Sequence, residues 1–441
     1  MKKIVAGLVF ILVLAGVGMP FVSGMIMEKG FNRCMEQANS MYSETGTGTR
    51  IELVSYDRGF SSSEIVWKIH LAEMKTIYKV DEIIFIDRAK HGHTGVVSQT
   101  SLEKNGWYQN IVKEKLGGVD PLNIRTDYSL MGDINSVINI NAFSVDIEGE
   151  VLNVKPAELT FAADHTFKQF ISKGAWQGAS VEGQVDLGEV SFASDMKMIS
   201  AFIWDGDLSL GLKKLVANDK ETPVKMENLN AKYALKFNEK NNTLSVDAAY
   251  GFDSITIKTE YVNNASAHLG VNGLDVVAYE EAMALYMKMA ATLFDELGSM
   301  EENPEQAKAV IEAKMTEISF QMMAIYEKFL KGGLEIYVKD LKAELPQGKI
   351  HGNFMLRLEK DLTMAQMFPM MNQPQMIFDY ISFASDFSLP SVLVSGNQQL
   401  TNPIYPGMKT GLFVEEGENM IHKSETKDKA FFINGEKLVL N

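Results

Sequence analysis

The chain has 441 residues, 46% of them hydrophobic and 22% charged, a balance that supports a packed core. Its net charge of −15 argues against a nucleic-acid binder, which needs a basic face, and would repel anionic head groups, so any lipid contact has to use apolar surface. One cysteine rules out an internal disulfide, which leaves burial and strand pairing to hold the fold.

The first element is the apolar run from Ile4 to Met27 behind Lys2 and Lys3, with no charge before Glu28. As a helix it would extend roughly 36 Å at ~1.5 Å per residue, enough to cross a bilayer. The two lysines set its start in the cytoplasm, and everything after Glu28 outside the inner membrane. A cleaved signal is the rival reading, with Ile4–Val17 as its apolar core and Val22-Ser23-Gly24 before the cut. Met25, Ile26 and Met27 prolong the apolar character past that point and favour an uncleaved anchor. Cys34 follows Phe31-Asn32-Arg33 rather than small residues, which speaks against a lipoprotein.

Glu28 to about Glu44 continues as a helix, with Phe31, Cys34 or Met35, Ala38 and Met41 at helical spacing, closed by Thr45-Gly46-Thr47-Gly48. Strands are expected at Arg50–Tyr56 and Glu64–Leu71. Alternation then dominates to about Val262, as in Ile134/Ile138/Ile140, Leu208/Leu210/Leu212, Ala231/Tyr233/Leu235/Phe237 and Leu244/Val246/Ala248/Tyr250. Period two with one apolar face predicts an antiparallel sheet buried on one side, with turns at Gly117-Gly118, Asp205-Gly206 and Asn241-Asn242. Two helices interrupt it. One carries Met283, Met287, Ala290, Phe294 and Leu297; the other, opened by Asn303-Pro304, carries Ile311, Met315, Ile318, Met322, Ile325 and Phe329. Strands resume at Leu334–Val338 and Ile350–Leu358. A methionine-rich loop (Met364 to Met376), a strand from Met376 to Leu389, a Gly/Pro/Asn-rich stretch (Pro390 to Gly411) and a final Asn434-Gly435 hairpin running to Leu440 complete the chain.

Tyr56-Asp57-Arg58-Gly59 followed by Ser62-Ser63, the His91-Gly92 step and the ending Ile433-Asn434-Gly435-Glu436-Lys437-Leu438 resemble the YdgA-like family of bacterial envelope proteins, whose function is unknown. The resemblance implies an N-terminal inner-membrane segment and a large β-rich periplasmic body with inserted helices. It implies no catalytic residues. One departure stands out: Ser61 precedes the paired serines where the family carries an aromatic, and Phe60 lies one position earlier. Tyr56, Arg58, Gly59, Ser62 and Ser63 read as a structural turn in which Gly59 can adopt positive φ and Arg58 can bind carbonyls or a carboxylate.

Other chemistry is thin. His91-Gly92-His93 is the best metal-like pair but lacks the third and fourth ligands that zinc needs. Met364, Met367, Met370, Met371 and Met376 are soft ligands suited to Cu(I), and equally fill apolar gaps. Asp205 and Asp207 are too few for calcium. Trp67, Trp107, Trp176 and Trp204 suit either a sugar or lipid path or the core. No nucleophile elbow, Walker loop or His-Glu-x-x-His occurs, so no catalytic residue, metal site or cofactor is assigned.

The expected fold is α+β and mainly β, with an N-terminal transmembrane helix and a long curved antiparallel sheet interrupted by a helical hairpin. The expected divisions are 1–27 (anchor), 28–49 (juxtamembrane helix), 50–273 (β-rich), 274–333 (hairpin) and 334–441 (β-rich). The functional expectation is a non-enzymatic inner-membrane protein that binds or conveys a lipid or other hydrophobic envelope component along an apolar sheet face. A structural role with an envelope protein partner is the first alternative and an envelope hydrolase the second.

Overall fold

The alternating segments fold as a long antiparallel sheet, and nearly every residue of the apolar parity faces the same side along its strand. The computed structural model describes residues 2–45, 49–71, 82–147, 149–299, 304–395, 398–402 and 410–438, with side chains of the first helix described from residue 18. By internal contacts the chain forms two units. One comprises Met1–Glu182, Val190–Phe202 and Ala284–Thr316; the other comprises Gly183–Glu189, Ile203–Met283 and Glu317–Asn441.

The first unit opens with helix α1 (Lys2–Thr45). Its strands are β1 (Thr49–Arg58), β2 (Ser62–Leu71), β3 (Glu82–His91), β4 (Gly95–Leu102), β5 (Leu122–Ser129), β6 (Ile134–Ile140), β7 (Phe143–Ile147), β8 (Glu150–Val154), β9 (Ala157–Ala163), β10 (Gln169–Trp176) and β11 (Ala179–Val181). β12 (Val185–Leu187) belongs to the second unit, and β13 (Val190–Met198) returns to the first. The sheet runs β1-β2-β3-β4-β5-β6-β9-β10-β13, antiparallel throughout, and β7, β8 and β11 form a side ribbon. A bulge at Val54 shifts the register, so Leu53 pairs with Trp67 and Tyr56 with Ile65. Two residues three apart thereby share a face, which a regular strand forbids.

The second unit contains β14 (Trp204–Ala217), β15 (Val224–Asn238), β16 (Thr243–Ile257) and β17 (Glu260–Asp275). Helices α2 (Val276–Ser299) and α3 (Pro304–Phe329) follow, then β18 (Glu335–Leu345) and β19 (Gly348–Leu358). After α4 (Met364–Met370) come β20 (Ile381–Pro390), β21 (Val414–Glu416), β22 (Asn419–Lys427), β23 (Ala430–Ile433) and β24 (Glu436–Lys437). The ladder runs β12-β14-β15-β16-β17-β18-β19-β20-β22-β23-β24, with β21 also on β22. At three cross-strand pairs an aromatic ring occupies the space that a Cβ on its glycine partner would take: Phe192 at Gly174, Tyr337 at Gly270 and Phe387 at Gly352. A glycine at each site leaves the ring room to cover the main chain.

The mainly β fold, the long antiparallel sheet, the helices and the closing Asn434-Gly435 turn (φ 49° and 83°) are as expected. Several local expectations are corrected. Asp205-Gly206-Asp207 is not a turn but lies inside β14, where Gly206 pairs with Leu235. The methionine loop is in part helix α4, because Thr363 and Gln366 form a capping box. Residues 374–379 form a tight helical turn opened by Pro374, so the strand begins only at Ile381. The helix expected to continue from the anchor through Glu44 is α1, a single helix with Pro20 inside it.

Among the described residues no helix is long and apolar enough to cross a membrane. Of the expected anchor, Ile4–Val17 carry side chains outside the described residues. At its other end, Ser23 and Met27 are packed on protein, being 2% and 1% exposed. That end of the run is apolar because it docks on the sheet. Asn303, Gly46 to Gly48 and Val439 to Leu440 also lie outside the described residues.

Candidate functional site

One side of α1 lies on the inner face of the first sheet. Met27 and Phe31 join Ile65, Ala89, Val96, Tyr128, Ile134, Ala163 and Phe167 in one core. Polar contacts fix the helix along its length. Ser23 Oγ donates to the Gly92 carbonyl (2.9 Å), Gln37 Nε2 to the Phe167 carbonyl (2.6 Å), and the Asn39 amide both donates to and accepts from Ile51 main chain (2.8 Å each). Asn39 thus satisfies one residue of the edge strand β1.

The turn residues singled out from sequence gather against this helix. Gly59 N–H donates to the Ser62 carbonyl at 2.8 Å and closes the β1–β2 turn. Arg58 Nη1 donates to Glu28 Oε2 at 2.7 Å, and its guanidinium sits 5.1 Å from the centroid of Phe21, which stacks on Phe60. Tyr56 meets Phe31 edge-on at 6.3 Å, and burial pushes its phenol up to about 12. Ser63 hydrogen-bonds His91 Nε2 at 2.8 Å, while His91 Nδ1 lies 3.3 Å from the Phe60 carbonyl. A carbonyl only accepts, so Nδ1 carries the proton and Nε2 accepts from Ser63. Burial holds the His91 pKa below its ordinary value; the Phe60 hydrogen bond opposes this and the Arg58 cation adds to it. Sequence reasoning missed Gly24, Glu28 and His91 as members of this clamp.

Beside the clamp, α1 roofs a cavity of about 260 Å³ whose floor is made by β1 to β6, β9 and β10. Asp87 lines it, 3% exposed, and accepts from Thr100 Oγ1 (2.7 Å), Trp67 Nε1 (3.3 Å) and Ser98 Oγ. The signal was legible: Asp87 falls on the apolar parity of Ile83, Phe85 and Ala89.

In the second unit the apolar residues line up across strands. Leu208, Tyr233, Ala248, Leu269, Val338, Phe354, Ser385, Ser424 and Ile433 are successive register partners from β14 to β23. Beside them run Gly206, Leu235, Val246, Val271, Ile336, Leu356 and Phe383. Neither row contains a charge; Asp207, Asp247 and Glu425 occupy the opposite parity. Leu334, Leu358, Leu362 and Met370 pack with Val271 at one end. Ser385, Ser424 and Ile433 are buried at the other end, and between the two ends Leu210 is 43%, Leu269 39%, Ile336 40% and Tyr250 37% exposed. A groove of about 670 Å³ crosses β18 to β23, where Val338, Phe354, Ser385 and Ser424 of the first row meet Lys339, Asp386 and Phe432.

The remaining candidates do not converge. His91 is buried and His93 exposed, and no group of three or more His, Cys, Asp or Glu side chains suited to a metal occurs among the described residues. Met370 is buried while Met367 and Met371 are exposed. Trp67 lines the cavity, Trp176 donates to the Lys155 carbonyl at 3.1 Å, Trp204 is half-buried in β14, and the Trp107 side chain lies outside the described residues. Ser385 and His422 (2.8 Å) repeat the Ser63–His91 pattern, again with a backbone carbonyl, Leu412, on Nδ1 (2.7 Å). Each pair has a hydroxyl–imidazole hydrogen bond, but among the described residues a backbone carbonyl stands behind each imidazole where a catalytic triad has a carboxylate.

The family model for a bacterial protein of unknown function, DUF945, matches residues 1–441. No curated protein and no solved structure matches the chain.

Proposed function

We propose that this chain, which belongs to the DUF945 family of bacterial proteins of unknown function, is an envelope protein that binds the acyl chains of lipids on the apolar face of β14–β20. The observation that carries the reading is the pair of uncharged register rows with Leu210, Leu269 and Ile336 left about two-fifths exposed. Water in contact with apolar surface costs about 25 cal/mol per Å², so a face of this extent favours an apolar occupant. An acyl chain suits it because it needs no hydrogen bonds from a surface that has few to give.

The apolar N-terminal segment supports inner-membrane placement, as does the likeness to YdgA-like envelope proteins. In this reading Ile4 to about Val22 lie in the bilayer, and the helix from Ser23 onward is fixed to the sheet. The body is thereby held beside the lipid it binds.

Organic extraction of the full chain purified from bacterial membranes, followed by mass spectrometry, tests the reading. Acyl lipid is expected in at least equimolar amount, and several-fold less with Leu210→Glu and Leu269→Glu combined. Equal recovery from both proteins contradicts it.

A further inference from the structure

The cavity beneath α1 lies in the other unit and presents a different chemistry. Its walls are apolar, chiefly Phe31, Ile124, Ile138, Phe161 and Phe170, and its one ionised-type side chain is Asp87; no Lys, Arg or His lines it. Tyr128 lines it as well. That residue is 8% exposed, and its hydroxyl has no hydrogen-bond partner among the described residues. With no such partner, this donor is free to bond an acceptor brought into the cavity by a ligand. Burial, with Asp87 adding to it, holds the Tyr128 phenol well above its usual range, so it stays a neutral donor.

We propose that this cavity binds an uncharged single-chain amphiphile, a long-chain alcohol or its like, with the tail among the apolar walls and the polar head accepting from Tyr128. The charge follows from the lining: with no Lys, Arg or His in it, an anionic head would be buried without a cationic partner. The single chain follows from size, since about 260 Å³ lies just below the usual range of small-molecule pockets. This site is independent of the open face of β14–β20, so either can fail without the other.

Cys34 offers the readout. It is the only cysteine, it is exposed, and it lines the cavity. In the full chain reconstituted in phosphatidylcholine bilayers, its labelling by N-ethylmaleimide is followed with decanol, with decanoate and with neither. Decanol is expected to slow labelling several-fold, and decanoate at equal concentration to leave it unchanged. Ile138→Trp, which fills the cavity, is expected to abolish the decanol effect. Tyr128→Phe, which removes one hydroxyl and little else, is expected to require about three- to tenfold more decanol for the same protection. Equal protection by decanol and decanoate overturns the proposal, as does no protection by either, or a Tyr128→Phe variant that responds like the parent.

Discussion

Gly24 of α1 rests directly on the imidazole of His91: a Cβ at residue 24 would lie 2.3 Å from His91 Cε1. The ring cannot yield easily, because Ser63 and the Phe60 carbonyl hold its two nitrogens. Helix and sheet are therefore matched at a contact that has no room for a methyl group.

Gly24→Ala is accordingly expected to destabilise the first unit by about 1–3 kcal/mol, the usual cost of forcing an atom into a packed contact. Thermal unfolding of the full chain measures it. Combined with His91→Ala, which empties the space, the glycine substitution should cost clearly less than it does alone. An additive double variant would mean that the two residues do not meet.

The clamp should weaken in acid. The native pKa of His91 is depressed, chiefly by burial, below the 6.5 expected of an exposed histidine. Between the two values the unfolded state binds a proton that the native state does not, so stability rises with pH. Its contribution is complete above about 6.5 and is lost as pH falls through the lower native value. Melting temperature measured against pH should therefore fall more steeply for the parent than for His91→Asn across that window.

Arg58 and Glu28 form an ion pair that is neither exposed nor dry, with side chains 28% and 35% exposed. Arg58→Ala also removes the guanidinium from Phe21 and is expected to cost about 1–2 kcal/mol, between the values for surface and buried pairs. Exchanging the charges, Arg58→Glu with Glu28→Arg, should recover part of that loss in the same unfolding measurement. Raised salt should narrow the difference between parent and Arg58→Ala.

In the second unit, Gly352→Ala would place a Cβ 2.1 Å from Phe387 Cδ1. Displacing that ring strips cover from the backbone of β19 and is expected to cost about 1–3 kcal/mol. Amide exchange should locate the loss at β19 and β20, with β1 to β3 unaffected.

Much of this architecture was legible because period-two alternation is a local signal. Leu208, Leu210 and Leu212 identify one face of β14 without knowledge of their partners, and Asn434-Gly435 identifies its own turn. The α4 helix was also legible, since Thr363 and Gln366 are spaced as a capping box. Asp205-Gly206 has turn composition yet lies within a strand, where pairing of Gly206 with Leu235 outweighs local preference. What no local pattern reveals is which distant residues meet. The docking of Gly24 on His91, Glu28 on Arg58 and α1 over Asp87 depends on where a helix crosses a sheet. The apolarity of Ser23–Met27 is the same for lipid and for protein, so only the observed contacts with Gly92 and Val96 assign that end to the sheet.

Site-specific photocrosslinking in living cells tests the central claim most directly. A benzophenone amino acid at Leu269, on the open apolar face, is compared with one at Lys232, an exposed residue of the opposite parity on β15. Lipid binding by this face predicts an adduct of acyl-lipid mass at position 269 and none at 232. A single protein adduct at 269, or lipid captured equally at both positions, would contradict it.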